Sequence, residues 1–236
     1  MTLQQMISAS KSIVFFGGAG VSTESGIPDF RSADGLYHQK YDVPPETLLS
    51  HGYFLKHTKE FYRFYREKML CLGAKPNDAH FKLAQLEQAG RLKAVVTQNI
   101  DGLHQLAGSK KVYELHGSVY RNHCISCGKQ YGVEKILQGE EIPLCSCGGV
   151  IKPDVVLYGE ALDDRTVAGA VHAISNSDML IIAGTSLAVY PAAGLVQYFN
   201  GNHLVLINRD PTPMDCCCEL VIRDKVGEVL GQITAE

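Results

Sequence analysis

Apolar residues gather in runs of strand length along this chain: SIVFF at 12–16, KAVVT at 93–97, MLIIA at 179–183 and HLVLI at 203–207. Two less continuous runs, 111–115 and 220–223, have the same character. Helical patterns lie between them. Residues 78–89 set Ala79, Leu83, Leu86 and Ala89 on one face, with Asn77 or Asp78 as a cap and Gly90 as a stop. Residues 163–175 do likewise with Val167, Ala170, Val171 and Ile174. Strand runs alternating with amphipathic helices predict an α/β fold on a mainly parallel sheet.

Two stretches depart from this alternation. Residues 44–72 read as two helices rich in aromatics (Phe54, Phe61, Tyr62, Phe64 and Tyr65), either a layer folded over the sheet or a mobile lid above a pocket. Residues 119–157 are rich in Cys and Gly and look like a separate small module.

At 236 residues the chain has room for one large domain, or for a large domain with a small one inserted. Hydrophobic residues at 45% and charged residues at 20% describe an ordinary globular protein, not a disordered or fibrous one. A formal net charge of −3 gives no whole-protein attraction to nucleic acid or anionic membranes. No apolar run approaches the roughly 20 residues of a membrane span. The first residues, MTLQQMISASKSIVFF, lack a basic segment and a small-residue cleavage site, which argues against secretion. Of eight cysteines, four fall in tight pairs and three are consecutive, which fits a cytoplasmic protein with some thiols on a metal.

Cys124-x-x-Cys127 and Cys145-x-Cys147 lie 17 residues apart, the spacing of a four-cysteine zinc site. Four thiolates close the coordination sphere, so such a Zn2+ holds structure and leaves no open position for chemistry. Cys71 reads as a small packed hydrophobe, and Cys216–Cys218 as an irregular, partly buried segment without assigned function.

Polar residues cluster where the apolar runs end. Thr97-Gln98-Asn99-Ile100-Asp101-Gly102-Leu103-His104 follows one run, and His116 with Gly117 follows another. Gly184-Thr185-Ser186 and Asn208-Arg209-Asp210 follow two more. In open α/β sheets ligands bind at the C-terminal ends of the strands, and short hydroxyl and amide groups there suit ribose hydroxyls and phosphate oxygens. The stretch GGAGVSTESGIPDFRS, directly behind SIVFF, has clustered glycines but lacks the third glycine of the dinucleotide pattern. A plain dehydrogenase is therefore disfavoured.

Taken in order, GAGVSTESGIPDFRS, TQNIDGLH, ELHGS, the paired cysteines, KPDVVLYGE, GTSLAVYPAA and INRD resemble the motifs of sirtuins of bacterial type, the NAD-dependent protein-lysine deacylases, over roughly residues 10–226. The resemblance implies a Rossmann-like, doubly wound parallel sheet with a helical layer and a small inserted zinc-binding module. Residues 1–118 and 158–236 would form the NAD-binding domain, with 44–72 as a helical lid within it, and 119–157 the zinc module. Gly18, Ala19, Gly20 and Thr23 would cradle the pyrophosphate, with Arg31 near phosphate and Phe30 near the nicotinamide. Gln98, Asn99, Ile100 and Asp101 would meet the nicotinamide and its ribose. Thr185, Ser186, Asn208 and Val226 would meet the adenosine half.

By the same resemblance His116 is the general base, with Asn99 and Asp101 also in the catalytic set. The acyl oxygen would attack C1′ of the ribose as nicotinamide leaves, giving an alkylimidate. His116 would then activate a ribose hydroxyl, and water would release free lysine and O-acetyl-ADP-ribose. NAD is thus a consumed co-substrate and an acyl-lysine protein or peptide the partner, with no nucleic acid and no membrane. The peptide would add as a strand beside KPDVVLYGE, with Val156 and Tyr158 walling the lysine tunnel. Sirtuins that take acidic acyl groups resemble one another in a Tyr-x-x-Arg pair. Here Tyr62-Arg63-Phe64-Tyr65 stands in that place, which favours neutral acyl groups, acetyl first. A mono-ADP-ribosyltransferase, a deacylase for longer or acidic acyl groups and a zinc-stapled NAD sensor are the competing readings.

Overall fold

The computed structural model describes residues 1–30, 35, 43–138 and 141–235. In chain order its regular elements are α1 (Leu3–Ala9), β1 (Ile13–Gly17), α2 (Pro45–Leu48), α3 (His51–Lys56), α4 (Thr58–Phe64), α5 (Asp78–Gln88), β2 (Leu92–Thr97), α6 (Leu103–Leu106) and β3 (Val112–Glu114). There follow β4 (Gly117–Cys124), β5 (Gln130–Tyr131), α7 (Val133–Leu137), β6 (Ile151–Val155), α8 (Asp164–Ser175), β7 (Met179–Ala183), β8 (His203–Ile207), β9 (Leu220–Ile222) and α9 (Val226–Gly231). Short 3-10 turns at Ala19–Val21, Thr23–Ser25, Ala192–Tyr198 and Asp215–Cys217 complete the large lobe.

All six predicted strands form, each within a residue of its expected ends, and pair in parallel in the order β3-β2-β1-β7-β8-β9. Every residue of β1 and of β7 is buried. Helices cover both faces of the sheet, so odd and even positions alike lose water, and the sequence reads as continuous apolar runs. Ile13 and Phe15 face α1, α5 and α9. Val14 and Phe16 face α8 and the 192–198 turn. Local chemistry sets the helix ends as expected. Asn77 Oδ1 accepts the Ala79 N–H at 3.0 Å, and Asp163 Oδ1 accepts the Thr166 N–H at 2.8 Å.

From β1 the chain winds outward to β3, returns to lay β7 against the other side of β1, and winds outward again to β9. The order reverses between β1 and β7, and a crevice opens beyond their C-terminal ends.

Residues 117–155 hold a three-stranded antiparallel sheet, β5-β4-β6, outside the large one. Contrary to expectation, the aromatic segment 44–72 does not fold over the large sheet. Phe54, Phe61, Tyr62 and Tyr65 share one buried cluster with Val119, Ile136 and Ile151 of the small module. The Phe54 and Phe61 rings meet edge to face at 5.1 Å, Phe61 and Tyr65 stack at 5.5 Å, and the Tyr62 hydroxyl donates to the Ile151 carbonyl. The reason is area: so small a sheet cannot bury enough apolar surface to be stable alone, and the aromatic helices supply it. Among the described residues no helix is long and apolar enough to cross a membrane.

Candidate active site

The loops after β1 and β7 touch at the switch point. A Cβ on Gly18 would stand 2.8 Å from Thr185 Cβ, and one on Gly20 would stand 2.7 Å from Gly184 Cα. The Gly20 N–H donates to the Gly184 carbonyl at 2.8 Å and that of Gly18 to Ala183 at 3.2 Å. Both glycines are thus required by loop-against-loop contact, and their N–H groups are spent on protein carbonyls.

Around this point opens a cleft of ≈ 560 Å³ to which one strand end after another contributes. Ala19, Gly20, Thr23 and Phe30 line it from the loop after β1, and Gln98, Asn99, Ile100 and Asp101 from that after β2. His116 enters after β3, Val156 and Tyr158 after β6, Thr185 and Ser186 after β7, Asn208 after β8, and Val226 at the start of α9. Gly18 sits behind this wall and Arg31 lies outside the described residues.

The residues after β2 are held by a hydrogen-bonded chain. Asn99 Nδ2 donates to Ser22 Oγ at 3.0 Å, and Ser22 Oγ donates to Asp101 Oδ2 at 2.7 Å. Asp101 Oδ1 accepts the Leu103 N–H at 2.9 Å, and Gln98 Nε2 donates to Thr185 Oγ1 at 3.1 Å. Ser22 joins Asn99 to Asp101, yet the sequence singled out its neighbour Thr23. Its place inside GAGVSTESG was the available signal.

His116 stands between β3 and β4, with Nδ1 2.9 Å from the Gln98 carbonyl. A carbonyl only accepts, so Nδ1 carries the proton and Nε2 keeps its lone pair. Burial favours the neutral form and holds this imidazole below its ordinary pKa, although the Gln98 bond, which favours the protonated form, pulls the other way. Gly117 behind it has φ +77, and a Cβ there would fall 1.7 Å from the Asp154 carbonyl oxygen. The strand crossing that presents His116 therefore admits glycine alone at that position.

On the opposite wall Val156, Leu157 and Tyr158 all line the cleft, Leu157 buried between its neighbours. The Val156 N–H donates to the His116 carbonyl at 3.0 Å, and Tyr158 exchanges backbone bonds with Leu49 and His51. An ionic cluster of buried Lys152, half-buried Glu160 and exposed His51 pins this segment. Glu160 Oε2 accepts the Leu157 N–H at 2.9 Å and Lys152 Nζ at 3.0 Å, and Oε1 lies 2.7 Å from His51 Nδ1. Burial alone would raise the Glu160 carboxyl, but these partners together hold it below its usual range. Lys152 and Glu160 also escaped the sequence reading, although both stand within KPDVVLYGE.

Tyr62 and Tyr65, set by sequence where an acidic acyl group would be met, instead point into the aromatic cluster. From this segment Lys68, Met69, Cys71 and Leu72 line the cleft, and Lys68 Nζ lies 3.0 Å from Glu67. Cys71, expected to pack as a hydrophobe, is half-buried on that wall.

The sulfurs of Cys124, Cys127, Cys145 and Cys147 all lie within 4.8 Å of one another. Cys124 and Cys147 are 3.6 Å apart, as are Cys127 and Cys145. Thiolates bound tetrahedrally ~2.3 Å from zinc stand about 3.8 Å apart, so the donor set fits that ion. The Cys147 N–H and the Tyr131 hydroxyl, 3.0 Å from its sulfur, hold the Cys145 thiol down to about 5. At Cys147 the Gly149 N–H pulls downward, but the crowding thiols of Cys127, Cys145 and Cys124 prevail and push it up to about 12. Such crowding calls for a cation. The second pair, one residue short of C-x-x-C, reaches the cluster through the turn closed by the Gly148 N–H on the Cys145 carbonyl at 2.9 Å.

Cys216 and Cys217, expected in a partly buried segment, are exposed, and Cys218 is half-buried.

The Sir2 family model matches residues 18–191. A NAD-dependent protein deacetylase of Clostridium acetobutylicum is 59% identical over 235 residues, covering 98% of this chain and 96% of the relative. One of Clostridium perfringens is 57% identical with the same coverage. A Sir2 structure with a deacetylated p53 peptide and 3′-O-acetyl ADP ribose superposes with TM-score 0.90 at 42% identity, covering 96% of this chain and 94% of that one. A Sir2 structure with p53 peptide and NAD+ superposes with TM-score 0.85 at 41% identity, covering 98% and 96%. With its doubly wound sheet, its four-cysteine cluster and a match over most of its length, the chain belongs to the Sir2 family.

Proposed function

We propose that this protein is an NAD-dependent protein-lysine deacetylase that consumes NAD and releases nicotinamide, O-acetyl-ADP-ribose and free lysine. One observation carries the reading: a neutral imidazole with a free Nε2 shares a cleft with the Asn99–Ser22–Asp101 chain, at the point where the strand order reverses. The relatives' shared name, NAD-dependent protein deacetylase, and the peptide and nucleotide ligands of the related Sir2 structures support it.

NAD supplies an electrophilic ribose carbon with nicotinamide as its leaving group. Ala19, Gly20 and Thr23 are assigned to the diphosphate, and Arg31 with them. Gly18 acts one step back, by letting the two loops close. Gln98, Asn99, Ile100 and Asp101 orient the nicotinamide and its ribose. Thr185, Ser186, Asn208 and Val226 hold the adenosine half. Phe30 covers the nicotinamide end and excludes water from the reacting centre. His116 Nε2 accepts the proton of a ribose hydroxyl, a role that a depressed pKa and a fixed Nδ1–H both favour.

The peptide adds as a strand beside 156–158, where main-chain bonds give affinity and leave sequence preference loose. Acetyl is the assigned acyl group, because no arginine of the 62–72 segment lines the cleft to meet a carboxylate with two bonds, and the Lys68 on that wall is paired with Glu67 at 3.0 Å. Zinc on the four cysteines holds the 119–157 module together, with the aromatic helices of 44–72 completing its core, beside a nucleotide-binding domain of 1–118 and 158–236. The free thiolates it needs suit a reducing, cytoplasmic setting.

Mass spectrometry of an acetyl-lysine peptide incubated with the protein, with and without NAD, tests the reading. Deacetylation that requires NAD and yields O-acetyl-ADP-ribose is expected. An intact peptide alongside ADP-ribose transferred to protein would replace this reading with a mono-ADP-ribosyltransferase.

A further inference from the structure

Cys216, Cys217 and Cys218 belong neither to the zinc cluster nor to the cleft's polar network. They fall on and just after the Asp215–Cys217 turn between β8 and β9. Cys216 and Cys217 are exposed, with sulfurs 3.8 Å apart. Cys218 is half-buried behind them, packed on the α8 face of the sheet, with Sγ donating to the Met214 carbonyl at 3.2 Å.

The spacing selects among the chemistries open to paired thiols. Two thiolates on one tetrahedral d10 cation, each ~2.3 Å from it, stand about 3.8 Å apart, so the pair already has that separation. A disulfide suits it less: adjacent Cα atoms are ~3.8 Å apart, short of the ~4.4–6.8 Å that ordinary disulfides span. Hard cations are disfavoured by sulfur donors. The adjoining carboxylate, Asp215, is already engaged by Arg223 and accepts the Thr212 N–H and hydroxyl, each at 2.9 Å.

That engagement ties the turn to the cleft. Arg223 donates through its other terminal nitrogen to the carbonyls of Asn208 and Asp210, both at 3.1 Å, and both residues line the cleft. Cysteines, Asp215, Arg223 and the wall at 208–210 thus form one connected brace.

We propose that Cys216 and Cys217 form a second, exchangeable site for a soft d10 cation of the zinc, cadmium or cuprous class, and that filling it shifts the 208–210 wall. The site stands independently of the deacetylase reading, and its effect on NAD rests on that reading.

The test loads reduced, zinc-replete protein with buffered Cd2+ and counts total bound metal by elemental mass spectrometry, in wild type and in C216S/C217S. Wild type should hold about two cations per chain and the variant about one, since each intact thiolate site retains its ion. Loading should raise the KM for NAD severalfold in wild type and leave it unchanged in the variant. Equal metal counts in the two proteins overturn the site, and an equal KM change in both overturns its link to the cleft. About one cation in wild type and none in the variant would uphold the pair and strike down the four-cysteine zinc assignment instead.

Discussion

Ser22→Ala isolates the link between Asn99 and Asp101. Ser22 is 1% exposed, and its hydroxyl accepts from Asn99 Nδ2 at 3.0 Å and donates to Asp101 Oδ2 at 2.7 Å. A bond to a charged group contributes about 1.5–3 kcal/mol and a neutral one about 0.5–1.5 kcal/mol, so their joint loss costs about 2–4.5 kcal/mol. At ~2–4 °C per kcal/mol for a chain of this size, Tm should drop by on the order of 10 °C. The chemistry should suffer separately, because Asn99 and Asp101 lose the group that fixes their mutual orientation. If ~1.4–2 kcal/mol of the loss is felt in the transition state, kcat/KM for NAD falls about 10–30-fold, at ~1.4 kcal/mol per decade. Nicotinamide release at saturating peptide, measured well below the variant's Tm, reads this directly. Combined with Asn99→Ala, the serine change should cost less than it does alone, since the Asn99 bond is already gone and only the Asp101 bond remains to lose. A Ser22→Ala enzyme within twofold of wild type, or losses that simply add, would refute the argument.

His116→Ala should cost about 10²–10⁴-fold in kcat, the usual weight of a general base, with the circular dichroism unchanged. Because burial lowers the His116 pKa, the acid limb of the pH–rate profile should fall below the ordinary histidine range near ~6.5. A midpoint above that value contradicts the assignment. His80 and His104 lie buried with ring centroids 4.7 Å apart, and His104 has no hydrogen-bond partner on either nitrogen among the described residues. Burial pushes His80 down to about 4 and His104 well below its ordinary value. The unfolded chain takes up these protons near ~6.5 and the folded one does not, so stability is complete above ~6.5 and drains as pH falls towards 4, by up to about 2.7 kcal/mol per unit for two groups. His104→Leu should roughly halve that slope in urea titrations, and an unchanged slope would show that the pair is not its source. Gly117→Ala should fail to fold or lose several kcal/mol, given a Cβ 1.7 Å from the Asp154 carbonyl; wild-type melting and turnover would remove the steric argument.

Much of the frame was legible. β1, β2, β7 and β8 announced themselves because burial on both faces confines polar residues to the ends of the run, as at Lys93 of β2, and Asn77 marked the start of α5 through its own side-chain bond. The polar residues after each strand were legible too, since a strand buried on both faces exposes polar groups only where it ends. The destination of the aromatic helices was not. Their pattern shows an apolar face without saying which surface will cover it, and the small module competes successfully for it with the large sheet. Tyr65 was misplaced for the same reason: helical spacing orders residues around an axis and leaves the direction of each face to packing.

What the chain determined by itself is therefore local and chemical: strand runs, helix caps, two thiol pairs at metal spacing, and an ordered set of motifs. What only the tertiary structure decided are contacts between residues far apart in sequence. Ser22 meets Asp101 across 79 positions and Asn99 across 77, and Gly18 and Gly20 owe their necessity to Gly184 and Thr185. Periodicity and capping act within a few residues. The partner that a side chain meets across the cleft is set by how helices and sheets exclude water together, which no local pattern encodes.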